Sequence, residues 1–423
     1  MEARETTRLV WALALPTFGL ALAMSVLTTY APVLLGEKTD SGTAIGLAIG
    51  GEGLFALFLP VLVGSLSDRT RSRLGRRLPY ALFASPLLVV PLVLLPFSGS
   101  YAATVALVSL FFVGYFVYYP PYQALFAELV PATHHGRAQG AQGVARGLGL
   151  GAALVGGGLL LSVWAPLPFV LGGAAIVLTT VALVRRVPVE GATAAPAPVR
   201  APRLRDLLRE RRDLRGFVAA NALWEFSFMG LKSFVVLYVV KGLGESVALA
   251  SAVMGVVAVA YVLAAALSGR LADRVGFVRP LRWAIYVYGA GLLFAATVSS
   301  TGPLLVGLPL VALAGAVLMT LPYGLLMKLT PAGAEGAVSG LFNLSRALGV
   351  ILGPIVVGAA IDLAEPLFGG THGYGAMWVA VGVPILLSLA FVASFESAVE
   401  PRVEPASVGT PVRADLDELA LSA

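Results

Sequence analysis

Gly64-Ser65-Leu66-Ser67-Asp68-Arg69-Thr70-Arg71-Ser72-Arg73-Leu74-Gly75-Arg76-Arg77-Leu78-Pro79-Tyr80 is a dense cationic stretch set between two long apolar runs. A shorter copy returns later as Gly269-Arg270-Leu271-Ala272-Asp273-Arg274-Val275-Gly276, again between apolar runs. Apolar runs joined by Gly-x-Leu-x-Asp-Arg, present twice, indicate a duplicated membrane protein. Composition agrees. The 423 residues are 58% hydrophobic and only 12% charged, against about 25% charged in soluble domains, which excludes a water-soluble fold.

Twelve runs approach the roughly 20 apolar residues that span a bilayer: 9–34, 42–66, 80–97, 101–129, 138–161, 166–184, 216–240, 246–269, 281–299, 303–327, 339–361 and 374–395. Met1 to Arg8 is short and polar and the run after it is full length, so the start reads as a first membrane helix and not a cleaved signal. Of 29 Lys and Arg, only Lys38 and Lys241 fall in loops on one side, three lie within spans, and 24 lie on the other side with both termini. By the positive-inside rule that side is cytoplasmic. The expected setting is therefore the plasma (inner) membrane, multi-pass, with both termini cytoplasmic. The charge of +6 follows topology and does not call for nucleic acid as a partner.

The second half repeats the first. Pro131, Gly136, Gly140, Arg146 and Gly149 match Pro331, Gly336, Gly340, Arg346 and Gly349 at an offset of 200. This divides the chain into an N-terminal six-helix bundle at 1–184, a linker at 185–215, a C-terminal six-helix bundle at 216–395 and a disordered cytoplasmic tail at 396–423. In the linker, Leu204, Leu207, Leu208 and Leu214 recur among charges, which suits an amphipathic helix on the inner membrane surface or a solvated linker helix.

With these motifs the chain resembles the major facilitator superfamily, whose loop between helices two and three carries the Gly-x-Leu-x-Asp-Arg pattern. The longer form at 64–80, together with Pro121-Tyr122-Gln123-Ala124-Leu125-Phe126-Ala127-Glu128-Leu129-Val130-Pro131, resembles the branch of sucrose transporters and glycoside–pentoside–hexuronide:cation symporters. The resemblance implies an all-α membrane protein of twelve transmembrane helices in two pseudo-symmetric six-helix bundles. It also implies a cavity lined by helices one, four, seven and ten. Duplicated halves of this kind place substrate near the midplane and rock about it.

Ionisable side chains inside spans are costly and usually line a polar cavity. Five qualify: Glu52, Arg146, Glu225, Lys232 and Arg346. The two arginines and Lys232 have a second reading, snorkelling to an interface. On helix seven, Asn221, Trp224 or Glu225, Phe228 and Lys232 share one face. On helix four, Phe111, Tyr115, Tyr118 and Tyr122 form an aromatic stripe with Tyr119 and Gln123 beside it, a pattern that suits packing and also suits stacking on sugar rings. The expected substrate contacts are Tyr119, Gln123, Arg146, Asn221, Trp224, Glu225, Lys232 and Arg346.

Two departures from the symporter pattern matter. The residue before Pro60 is Leu59 where the sodium-coupled members carry Asp, and the helix-four Asp implied by the resemblance is replaced near Tyr119 and Pro120. Glu52 becomes the candidate for cation coupling, with a proton in place of sodium. A cytoplasmic gate is expected from Asp68, Arg69, Arg73, Arg76, Arg77, Glu128, Asp273 and Arg274, with Glu128 matched by Lys328 in the repeat, or else these are scattered surface ion pairs worth little.

The chain has no cysteine and three histidines, His134, His135 and His372, so no metal or cofactor is expected, and no nucleophile–base pair or phosphate-binding loop suggests an enzyme. The leading expectation is a monomeric, proton-coupled symporter of a sugar or glycoside working by alternating access. The alternatives are a carrier of an organic anion or drug-like solute, since three cations face two carboxylates within the spans, and a non-transporting protein on the same fold.

Overall fold

The computed structural model describes residues 2–131, 134–187, 209–331 and 335–399. Lipid cannot satisfy backbone N–H and C=O groups, so long apolar runs must become helices, and they do. The helices are α1 Glu2–Gly36, α2 Gly42–Arg69, α3 Leu78–Leu94, α4 Tyr101–Leu129, α5 His135–Gly151, α6 Leu167–Arg186, α7 Arg212–Leu237, α8 Val247–Val275, α9 Val278–Ala295, α10 Thr301–Leu329, α11 Glu335–Leu363 and α12 Ala376–Leu387. The last continues as Leu389–Val399. Ser41 and Ser246 cap α2 and α8 by accepting from the backbone N–H of Ala44 and Leu249. Eleven of the described helices are long and apolar enough to cross a membrane. The exception is α9, whose first turns carry Arg279 and Arg282.

Two expectations are corrected. The two Gly-x-Leu-x-Asp-Arg copies are not loops but the last turns of α2 and α8. The chain turns only beyond them, at Gly75 and Gly276, whose φ values of 80° and 83° lie where a Cβ is strained. α7 starts at Arg212, inside the segment assigned to the linker. Helices outlast the hydropathy signal because backbone hydrogen bonding continues into the headgroup region. The regular helices are also interrupted. α5 passes through a π-turn at Ala152–Gly156 before Gly157–Val163, and α7 ends in another at Tyr238–Gly242. The rest of the linker reading falls on 188–208 and the tail reading mostly on 400–423, outside the described residues.

α1 packs on α5 and α6, and α3 on α4 and α6, in one bundle; α7 packs on α11 and α12, and α10 on α8 and α9, in the other. The halves meet where α2 crosses α11 and α5 crosses α8. The first crossing is tight at one end only. A Cβ at Gly46 would run into the Pro354 carbonyl, so α2 and α11 touch backbone to backbone there. Towards the arginine-rich end, Gly64 of α2 and Gly340 of α11 have open space around them, and Val61 is 75% exposed. The seam is thus shut on the face away from the arginines and parted on the cationic face.

Two polar contacts lock the shut face. The Asp362 carboxylate accepts from the backbone N–H of Gly42 at 2.6 Å and Thr43 at 2.9 Å, and from the hydroxyls of Ser41 at 2.9 Å and Thr43 at 2.6 Å. An anion at a helix N-terminus meets unpaired donors and the positive end of the helix dipole. Nearby, the Lys241 ammonium donates to the Gly36 carbonyl at 2.5 Å and to Asp40 at 3.1 Å.

Candidate functional site

α7 and α11 lie so close that a Cβ on Gly349 would strike Glu225 and the backbone of Phe226. That approach carries Glu225 to Arg346, with Nε 3.6 Å from Oε1. Arg346 is 55% accessible and Glu225 12%, yet Arg346 also feels the charge of Glu52 and lies near Tyr115 and Tyr119. Its exposed surface therefore faces an internal cavity. Glu52 on α2 is within electrostatic reach of Lys232, Arg346 and Glu225. Across the seam, Arg146 donates to the Tyr119 hydroxyl at 3.1 Å, and Tyr119 stacks on Tyr115 at 5.4 Å between ring centroids. Tyr115 feels both Arg146 and Glu52. Glu52, Arg146, Glu225, Lys232 and Arg346 thus converge from α2, α5, α7 and α11 on one region at mid-height. One carboxylate oxygen of Glu225 is buried without a hydrogen-bond partner.

A cavity of about 380 Å³ opens beside this cluster, with Lys232 and Arg346 among its lining and the rest of its wall mostly apolar. Phe228 stacks on Tyr288 along it at 5.5 Å.

Three expected contacts lie elsewhere. Trp224 is 1% exposed and donates its indole N–H to Ser388 at 2.8 Å. Asn221 donates to Ser345 at 2.8 Å, inside the packing of α7 on α11. Gln123 accepts from Gln142 at 3.2 Å, joining α4 to α5. The expected gate residues also separate. Arg77 donates to Asp68 at 2.6 Å and to Glu128 at 2.7 Å, and Arg76 donates to Glu128 at 3.0 Å. Burial works against the Arg77 charge, but its hydrogen bonds to Glu128 and Asp68 outweigh that and raise its pKa above the ordinary arginine value. This cluster ties α2, α3 and α4 together within one half and does not cross the seam, because the halves are parted on this face. Arg69, Arg73 and Arg274 are exposed. Lys328, the repeat partner of Glu128, lies over the Phe277 ring at 4.6 Å. The side chain of Asp273 lies outside the described residues.

The sequence reading missed Asp362 and the role of Lys241. Cap-forming residues at Ser41 and Thr43 were visible, but nothing in their spacing points to a carboxylate some 320 residues away.

A search of curated proteins found no significant sequence match. Solved structures match closely in fold. A bacterial homologue of the human lysosomal transporter Spinster, inward-facing and unoccupied, superposes with a TM-score of 0.75 at 18% identity, over 95% of this chain and 99% of that one. The nucleoside transporter NupG gives 0.74 at 16% over 92% and 99%. The POT family transporter PepTSo gives 0.68 at 13% over 93% and 98%. A family profile describing the Major Facilitator Superfamily matches residues 13–354 and again 226–414. The chain belongs to the Major Facilitator Superfamily, a family of membrane transporters.

Proposed function

We propose that this chain is a proton-coupled secondary transporter of an organic anion, working by alternating access about the Glu52–Glu225–Lys232–Arg346 cluster. One observation carries the reading: three cations, Arg146 included, and two carboxylates share one membrane-buried region, an excess of one positive charge when all are ionised. An unbalanced charge in a low-dielectric site is costly, and an anionic ligand offsets it. The glycoside expected from the sequence is the weaker reading. Its two best helix-seven contacts, Asn221 and Trp224, are engaged with Ser345 and Ser388. The arrangement of charges also supports Glu52 as the proton carrier, since it faces both cations of the opposite half. Transporters are among the structurally similar proteins.

Proteoliposomes with an imposed pH gradient test this. Labelled monocarboxylates should accumulate and neutral glycosides should not. Glu52→Gln should abolish gradient-driven accumulation while anion exchange between equal pools continues. Glycoside accumulation without anion uptake would reverse the assignment.

A further inference from the structure

An anion site alone leaves most of the cavity unused. From Lys232 the cavity extends along α7 and the π-turn that ends it to Leu243, about 16 Å at the α-helical rise. Its walls include Val253 and Val257 of α8, Tyr288 of α9, and Leu308 and Ala312 of α10. Among the described lining residues the only charges are Lys232 and Arg346, which belong to the mid-height cluster. A polyhydroxylated solute placed here would leave hydroxyls unpaired, whereas apolar chambers hold water poorly and accept hydrocarbon. The volume, about 380 Å³, is that of a small-ligand pocket.

We propose that this chamber is a tail pocket. The transported anion is a single-chain amphiphile whose anionic head sits on Arg346 and Lys232 and whose hydrocarbon tail fills the space between α7, α8, α9 and α10. The proposal rests on the organic-anion reading and adds the shape of the substrate to it. Two features of the chamber support one occupant over others. Among the described lining residues both charges belong to one cluster, so a dianion with two distant heads does not fit. Its wall is mostly apolar over the remaining length, with Tyr238, Tyr261 and Thr301 as isolated polar groups, so burial of methylenes supplies most of the binding energy.

The test uses the full chain in lipid nanodiscs, titrated calorimetrically with linear alkanoates from butanoate to decanoate, heats from empty nanodiscs being subtracted. Affinity should rise about fourfold per added methylene up to a plateau set by the chamber. Alkanols of the same lengths should bind about tenfold more weakly for want of the charged head. Gly307 lines the chamber, and an added Cβ there would meet nothing within 4 Å. Gly307→Phe should bring the plateau to a shorter chain, and Val253→Ala should move it to a longer one. Opposite displacements cannot come from general loosening of the fold. Affinity independent of chain length, with butanoate binding still lost in Arg346→Gln, overturns the tail pocket and leaves the organic-anion reading standing. A plateau unmoved by both variants also overturns the tail pocket. Absence of any alkanoate binding in protein with an intact thermal transition overturns both readings.

Discussion

Removing the Trp224 indole should damage the fold before it touches the substrate. The ring is 1% exposed, donates to Ser388 at 2.8 Å and meets Phe217 edge-on at 6.5 Å. Trp224→Ala should cost about 3–5 kcal/mol, read as a lowered Tm in detergent. Ser388→Ala, which removes this acceptor together with the hydroxyl's own donation to the Ile385 carbonyl at 2.6 Å, should cost about 1–3 kcal/mol. Weakened substrate binding with an unchanged Tm in Trp224→Phe would return the ring to the substrate site. The five ionisable residues were legible in the sequence because a charge in a membrane span needs a reason. The fate of Trp224 was not. Periodicity groups Asn221, Trp224, Phe228 and Lys232 on one face, but that face meets different neighbours at different depths. Near Asn221 it meets α11 and Trp224 reaches Ser388 at the break between α12 and its continuation, whereas Phe228 and Lys232 reach the cavity. Arg146 and Arg346 show the same limit. Their equivalence was readable, but one binds a tyrosine hydroxyl and the other a carboxylate.

At the scale of elements, the proposed alternating access makes the crossing of α2 and α11 the gate of the shut face. The contact depends on Gly46 lying against Pro354. Gly46→Leu should wedge the crossing apart and favour the conformation open on the other face. Ile45, wholly buried beside this crossing, provides the reporter. Ile45→Cys should be inert to a membrane-impermeant maleimide in the parent and become reactive in the Gly46→Leu background. Equal reactivity in both would mean that the crossing is not a gate. The number and order of helices were legible because each run long enough for the bilayer becomes one. Their ends and their π-turns were not, since hydropathy registers lipid exposure and these features depend on hydrogen bonding beyond it.

For the whole molecule, the distribution of cations assigns a side to each face. Of the described arginines, those at 69, 71, 73, 76 and 77 share the parted face with Arg274 and Arg279, whereas Lys38 and Lys241 stand on the shut face. If the arginine-rich face is cytoplasmic, cysteines replacing Thr39 and Ser246 should label from outside intact cells and one replacing Leu74 should not. With no native cysteine the signal has no background. Labelling of Leu74→Cys from outside would invert the orientation.

The Asp362 lock has a consequence for the work cycle. Its four hydrogen bonds join α2 to α11 across the shut face, so parting that face breaks them and they deepen one conformational well. Asp362→Asn should make that well shallower and change how long the carrier waits there, because a population shifts with the energy difference between states. The final concentration ratio across the membrane is another matter. It is fixed by coupling stoichiometry and the driving gradient, and no conformational well enters it. Asp362→Asn should therefore alter the initial rate of uptake several-fold while the plateau ratio in tight vesicles stays where it was. A changed plateau would mean that the carboxylate itself belongs to the stoichiometry, carrying a proton with each turnover.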